Sequence, residues 1–207
     1  FFPAEKVVQL GNPIRLQQPA ITKSYDGPIK NFTLLILGGS QGARPLNNIL
    51  TNTLRFFQDR GDWLKIIHQC GKDDFEKLKE EYAKFKLDVD LRPFFVEMNE
   101  IYDKADLVFS RAGALTISEL AFKGKAAILV PFPAAADNHQ EINALSLVKE
   151  GAAEIILQRD LTPEILSDKV FSFMDNPERI KKLSTSIVKF SKPDAARDIT
   201  NSIVESL

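Results

Sequence analysis

Three short segments of this chain gather the residue types that could hold a charged or hydroxyl-rich ligand. The first, GGSQGA at 38–43, follows an apolar run and precedes a helix-forming stretch. Glycines let the backbone approach a ligand closely, and the amides of a helix N-terminus attract phosphate. The spacing is not the dinucleotide fingerprint, whose second and third glycines would fall on Ser40 and Ala43. Nor is it a Walker A loop, which needs Gly-Lys-Ser/Thr. On residues alone, a phosphate cradle and a plain tight strand–helix turn are equally good readings.

The second segment, SRAGALTISE at 110–119, again carries a strand end into a helix, with small residues around Gly113. Glu119 has two readings. Thr116-x-x-Glu119 has the spacing of a capping box, in which the glutamate accepts a hydrogen bond from the cap's backbone N–H. That spacing favours the cap over a ligand-binding carboxylate. The third segment, PFPAAADNHQ at 131–140, is a small-residue loop before a helix. Asp137 suits an N-cap, while Asn138, His139 and Gln140 carry donors and acceptors suited to sugar hydroxyls.

Other chemistries find little support. His68 ends an apolar run and reads as a satisfied structural residue. Two separated histidines and one cysteine, Cys70, give no zinc spacing. No acidic pair is spaced to hold Mg²⁺, and neither a Ser-His-Asp order nor a G-x-S-x-G elbow is present. With 27 Lys and Arg against 28 Asp and Glu, the net charge of −1 exerts no general pull on nucleic acid. A single cysteine excludes an internal disulfide and fits a reducing, cytoplasmic setting. The apolar stretch at 126–136 is broken by two prolines and falls short of a membrane span. No signal peptide is visible, and the chain opens on Phe1 rather than Met, as a piece of a longer protein would.

These loops must be positioned by something, and the rest of the chain supplies it. Continuous apolar runs at 33–37, 64–68, 89–95, 106–110, 126–130 and 153–157 predict strands buried on both faces. Between them lie helical patterns, with Phe75, Leu78, Tyr82 and Phe85 at helical spacing and a further helix over 138–150 ending at Gly151. Thr162-Pro163-Glu164 and Asn176-Pro177-Glu178 are helix starts, and Ile180, Leu183, Ile187 and Phe190 form an apolar stripe. A last helix after Pro193 is expected to bury Ala196, Ile199, Ile203 and Leu207. Alternating strands and helices need crossover connections, which predicts one doubly wound α/β domain, a Rossmann-like parallel sheet closed by C-terminal helices. The polar segment 17–30 reads as the one loose connection.

Five motifs in order, GNPIR (11–15), GGSQGA, SRAGALTISE, VPFP…DNHQ…NA (130–144) and KPDAA (192–196), resemble the C-terminal, donor-binding half of the MurG family of GT-B glycosyltransferases. The resemblance covers essentially the whole chain. It implies binding of UDP-N-acetylglucosamine (UDP-GlcNAc), whose GlcNAc the family transfers with inversion to lipid I, making lipid II for peptidoglycan. By position, Arg15 would help bind the diphosphate and Ser40 would contact phosphate, while the Phe95 backbone would read the uracil edge. Ala114, Leu115 and Thr116 would present backbone groups, Ile117 and Ser118 would complete the lining, and Glu119 would hold the ribose hydroxyls. Gln140 would bind the sugar hydroxyls, with His139 as its alternative because the alignment slips by one residue within 133–136. No cofactor and no metal are implied.

The resemblance also implies a division of the chain. Residues 1–15 would be the tail of an N-terminal domain and the linker leaving it, and 16–207 the donor domain. The lipid I acceptor pocket, and peripheral contact with the inner membrane's cytoplasmic face, would belong to that other domain. The final helix would pack against it. This chain alone is then expected to bind donor weakly and to transfer nothing. The rival readings are a UDP-GlcNAc 2-epimerase-like enzyme and a non-catalytic nucleotide-sugar-binding module. A dinucleotide oxidoreductase is disfavoured by the missing fingerprint.

Overall fold

In the computed structural model, which describes residues 7–16, 19, 23, 25, 27–39 and 41–205, the apolar runs become six strands. They are β1 (Phe32–Leu37), β2 (Leu64–Gln69), β3 (Asp88–Arg92), β4 (Leu107–Ser110), β5 (Ala127–Leu129) and β6 (Glu154–Ile155). All pair in parallel, in the order β3-β2-β1-β4-β5-β6. The crossovers are α1 (Arg44–Phe57), α2 (Phe75–Tyr82), α3 (Met98–Lys104), α4 (Ala114–Phe122) and α5 (His139–Lys149). Three helices close the chain: α6 (Pro163–Asp175), α7 (Pro177–Ile187) and α8 (Ala195–Glu205). The doubly wound sheet expected from the strand–helix alternation is the one observed.

Continuous apolarity in the central strands follows from burial on two sides. Leu34 and Ile36 of β1 join Leu46, Leu50, Leu54, Phe109 and Phe173 in one core. Leu35 and Leu37 point the other way, into a second core with Ile67, Val108, Tyr102, Leu120 and Leu147. Each such side chain contributes about 1.5–3 kcal/mol relative to exposure, so the two cores anchor the strand ends that carry the loops. Thr162 caps α6 as expected, its Oγ1 accepting from the Ile165 N–H at 3.2 Å.

Several local expectations are corrected. β3 stops at Arg92 rather than running to Phe95, since Pro93 has no N–H to donate to the ladder. Strand β6 is only two residues long. Asp106 lies before β4 rather than in it. Its buried carboxylate accepts from the Thr33 N–H (2.7 Å), the Tyr25 hydroxyl (2.5 Å) and Lys23 Nζ (2.8 Å). The segment read as loose is therefore tethered at Lys23 and Tyr25, and again where the Ile29 N–H meets the Met174 carbonyl. Its residues 17, 18, 20–22, 24 and 26 lie outside the described ones.

Asp137 is not an N-cap. It and Asn138 take left-handed backbone angles (φ 48° and 53°) ahead of α5, which begins at His139 without a side-chain cap. The last helix does not bury its apolar stripe. Of α8 only Ala195 is buried, while Ala196 and Ile203 are exposed and Leu207 is outside the described residues. Among the described residues no helix is long and apolar enough to cross a membrane.

Candidate ligand-binding cleft

Strand order reverses between β1 and β4, and the loops leaving these two neighbours diverge to opposite faces of the sheet. Ligands of doubly wound sheets bind in the crevice this opens. A cleft of about 440 Å³ lies there. Gly38, Gly39, Gly42, Ala43 and Arg44 form one wall, Arg111, Gly113 and Thr116 the other, and Phe132 and Gln140 close it from the β5–α5 loop. No carboxylate is among the described lining residues.

The walls are built to meet negative charge. Helices α1 and α4 both begin at the cleft, and neither has a side-chain cap. The first intrahelical bond of α4 runs from the Ile117 N–H to the Gly113 carbonyl (3.0 Å), so the amides of Ala114, Leu115 and Thr116 have no partner inside the helix. The positive end of a helix dipole adds to those amides. Arg111 is buried, and its guanidinium donates to the Val130 and Pro131 carbonyls (both 3.2 Å) and to Gln158 Oε1 (2.7 Å). Burial lowers its pKa, yet an arginine stays charged, and no carboxylate pairs with it among the described residues. The Phe132 ring lies over it, 5.4 Å from centroid to guanidinium carbon.

The residues singled out in the sequence fall into distinct places. Thr116 and Gln140 line the cleft, with Ala114 and Leu115 exposed on the first turn of α4. Gln140 Oε1 accepts from the Phe132 N–H (3.0 Å), which orients the side chain and leaves its NH₂ without a partner among the described residues. His139 is exposed, its Nδ1 2.8 Å from the Ala136 carbonyl. Ile117 turns inward against the second core. Ser118 Oγ donates to the Ala114 carbonyl and accepts from Asn12 Nδ2 (2.9 Å), which docks the GNPIR segment on α4. Arg15 is exposed between Ile14 and Leu16, both packed into the second core. The first and last motifs meet as well, since a Cβ on Gly11 would come 2.7 Å from Lys192 Cβ. Ser40 lies outside the described residues.

Glu119 is not a capping residue. Because α4 starts at Ala114, Thr116 is already its third residue and Glu119 its sixth. The Glu119 carboxylate instead accepts from the Tyr102 hydroxyl at 2.9 Å. Partial burial raises its pKa above the ordinary carboxylate range, and the phenol's hydrogen bond opposes that rise. A group raised in this way favours folding most below its unfolded pKa, and that contribution declines as pH climbs through the folded value. Tyr102→Phe removes the opposing bond. The Glu119 pKa is then expected to rise further, as read from carboxyl ¹³C shifts. An unchanged or lowered titration midpoint would show that the phenol does not stabilise the charge.

Phe95 sits beyond the end of β3, buried, with its N–H donated to Gln69 Oε1 at 2.9 Å. Gln69, Arg111, Tyr102 and Phe132 carry geometry at this rim that the sequence reading did not single out. Arg111 left a signal, a lone cation at a strand end inside a small-residue motif. Gln69 and Tyr102 left none, since Gln69 lies just past the apolar run at 64–68 and Tyr102 between the runs at 89–95 and 106–110.

A doubly wound parallel domain with uncapped helix N-termini and guanidinium groups at its switch point has the architecture of a GT-B glycosyltransferase domain. The chain belongs to the glycosyltransferase family 28 C-terminal domain family, whose model matches residues 33–199. It is 40% identical over 212 residues to the UDP-N-acetylglucosamine–N-acetylmuramyl-(pentapeptide) pyrophosphoryl-undecaprenol N-acetylglucosamine transferase of Thermodesulfovibrio yellowstonii, covering 100% of this chain and 58% of that protein. The enzyme of the same name from Anaeromyxobacter sp. (strain Fw109-5) is 41% identical, over 99% of this chain and 54% of its own length. The crystal structure of Acinetobacter baumannii MurG superposes with a TM-score of 0.76 at 35% identity, covering 88% of this chain and 51% of that one. The chain thus spans a little over half the length of the curated relatives it matches.

Proposed function

We propose that this chain is the donor-binding part of an inverting N-acetylglucosaminyltransferase that moves GlcNAc from UDP-GlcNAc to lipid I in peptidoglycan synthesis. The observation that carries the reading is the switch-point cleft, with two uncapped helix N-termini, Arg44 and Arg111 in its walls and no carboxylate among its described lining residues. Such a cleft suits a diphosphate. The glycine loop, with Ser40, would hold the phosphates from one side and the α4 amides from the other. Arg15, carried on the docked GNPIR segment, would add a further charge. Because the Phe95 N–H is taken by Gln69, the Phe95 carbonyl is the group left for a base edge. Glu119, held by Tyr102, would accept from the ribose hydroxyls, and the Gln140 NH₂ would meet the sugar.

The same groups suit the chemistry. As the bond between the anomeric carbon and the diphosphate breaks, negative charge grows on the departing phosphate. Preorganised amides and a guanidinium stabilise that charge more than the ground state, which is what accelerates the step. The acceptor hydroxyl, its base and contact with a membrane surface would come from the remainder of the protein. The open apolar stripe of α8 is consistent with a partner domain there.

Calorimetric titration of this chain with UDP-GlcNAc, UDP-glucose, NAD and UDP tests the reading. UDP-GlcNAc is expected to bind most tightly, and Glu119→Ala to weaken it about 10- to 100-fold, the range for losing charge-assisted hydrogen bonds to two hydroxyls. Preference for NAD, or full UDP-GlcNAc affinity in Glu119→Ala, would overturn it. A chain that binds UDP and UDP-GlcNAc equally would place the sugar outside this domain's contacts.

A further inference from the structure

We infer that Gln69 is a positioning residue that sets the separation between the base-binding and phosphate-binding halves of the cleft; this rests on the nucleotide reading above. Gln69 is the last residue of β2 and only 5% exposed. Its Nε2 donates to the Gly39 carbonyl at 3.0 Å, and its Oε1 accepts from the Phe95 N–H at 2.9 Å. The orientation of the amide follows from its partners, because a carbonyl only accepts and a backbone N–H only donates. One side chain therefore joins the loop after β1 to the loop after β3. Leu37, which ends β1, pairs with Gln69, and Gln69 pairs with Arg92, which ends β3. The bridge thus spans both sides of the strand that lies between the two loops.

The Gly39 carbonyl is a junction. It also accepts from the Gly42 N–H at 3.1 Å, the bond that closes the glycine turn. Gln69 thus supports the turn at the same oxygen that shapes it. On the other side, the Pro93 and Val96 carbonyls accept from the Gly71 and Met98 amides, and Gln69 is the partner of the Phe95 N–H among the described residues. A ligand that bridges the two loops gains from their spacing being set before it arrives, whereas a ligand touching one loop gains nothing from it. A carboxylate at this position would keep the Phe95 bond and repel the Gly39 carbonyl. A leucine would keep the volume and lose both bonds.

The test compares wild type, Gln69→Leu and Gln69→Glu at neutral pH, with UDP, uridine and pyrophosphate titrated separately. UDP affinity is expected to fall about tenfold in both variants, while uridine and pyrophosphate alone each change by less than about twofold. A uniform loss across all three ligands, or no loss for UDP, would overturn the inference. Gln69→Glu carries a second readout. Acidification protonates the new carboxyl, which then donates to Gly39, so the deficit in UDP affinity relative to wild type at the same pH is expected to shrink on lowering the pH. Amide hydrogen exchange without ligand gives an independent arm, with protection at Phe95 and at Gly42 expected to fall together in Gln69→Leu. Loss confined to one loop contradicts a spacer. If wild type binds none of the three ligands, the nucleotide reading fails, and coupled exchange still decides whether Gln69 links the loops.

Discussion

Gly42→Ala is expected to destabilise the fold by about 4 kcal/mol and to remove nucleotide binding, whereas Gly39→Ala three residues earlier costs about 1 kcal/mol. Both glycines hold left-handed backbone angles, φ +77° and +88°, so both alanines incur backbone strain. What separates them is the neighbourhood. A Cβ on Gly39 meets nothing within 4 Å, while one on Gly42 would sit 2.1 Å from the Cys70 carbonyl oxygen and 3.0 Å from Gly71 Cα. That contact is backbone against backbone, and the two loops can only separate. Separation would pull the α1 N-terminus off the cleft wall and break the Gly42–Gly39 turn. Urea unfolding and calorimetry of the two variants measure the contrast. Equal stabilities would show that the loops are not packed in this way, and retained binding in Gly42→Ala would uncouple the turn from the ligand.

Acid is expected to act on the fold through His68. The imidazole is completely buried, 3.0 Å from the Tyr82 hydroxyl through Nδ1 and 3.1 Å from Asn47 Oδ1 through Nε2. Asn47 Nδ2 donates to the Cys70 carbonyl and to Asp74 Oδ2, so Asn47 Oδ1 must accept, and the ring is neutral with its proton on Nε2. Burial pushes the His68 pKa down to about 3, against a weaker opposing pull from Asp74. A base with a lowered folded pKa contributes fully above its unfolded value near 6.5, and that contribution is lost as pH falls towards the folded value. The slope is about 1.4 kcal/mol per pH unit, or about 2 kcal/mol between pH 6.5 and 5 and about 5 kcal/mol by pH 3. Chemical unfolding at pH 7, 6 and 5 reads it. His68→Gln should flatten the slope, and His139→Gln, at the exposed histidine, should leave it intact. A slope surviving in His68→Gln would assign it to other groups.

The two expectations meet at the same place. Asn47 lies one turn into α1, and the Cys70 carbonyl it binds is the atom against which Gly42 packs. Protonating His68 therefore loosens the support of the glycine loop as well as the fold. Nucleotide affinity should weaken over the same acidic window.

Much of the architecture was legible before any coordinates. Strands buried on two faces must be apolar throughout, and those runs are contiguous in the chain, so local pattern suffices. The same is true of Thr162-Pro163, where the cap and its amide are three residues apart. The three loops were legible too, because a strand end turning into a helix needs small residues at consecutive positions. Strand lengths were less so. Pro93 truncated β3, and β6 pairs for only two residues at the sheet edge.

Where local spacing was asked to decide a role, it failed. Thr116-x-x-Glu119 has the spacing of a cap, but the helix starts at Ala114, so the pattern falls inside it, and a tyrosine from α3 claims the carboxylate. Asp137 precedes a helix, yet left-handed backbone angles at Asp137 and Asn138 put Asn138 in the cap position. The apolar stripe of α8 was legible as a stripe, but nothing in periodicity says what covers it. Residues such as Gln69, His68 and Arg111 sit within or beside apolar strands, and their significance lies in partners 14 to 47 positions away. Sequence by itself therefore determined the layered sheet and the places where loops must fall, since these follow from burial and backbone geometry along contiguous segments. Tertiary structure alone decided which side chains converge at the rim and what charge each carries, because hydrogen bonding and desolvation depend on distances between segments remote in the chain.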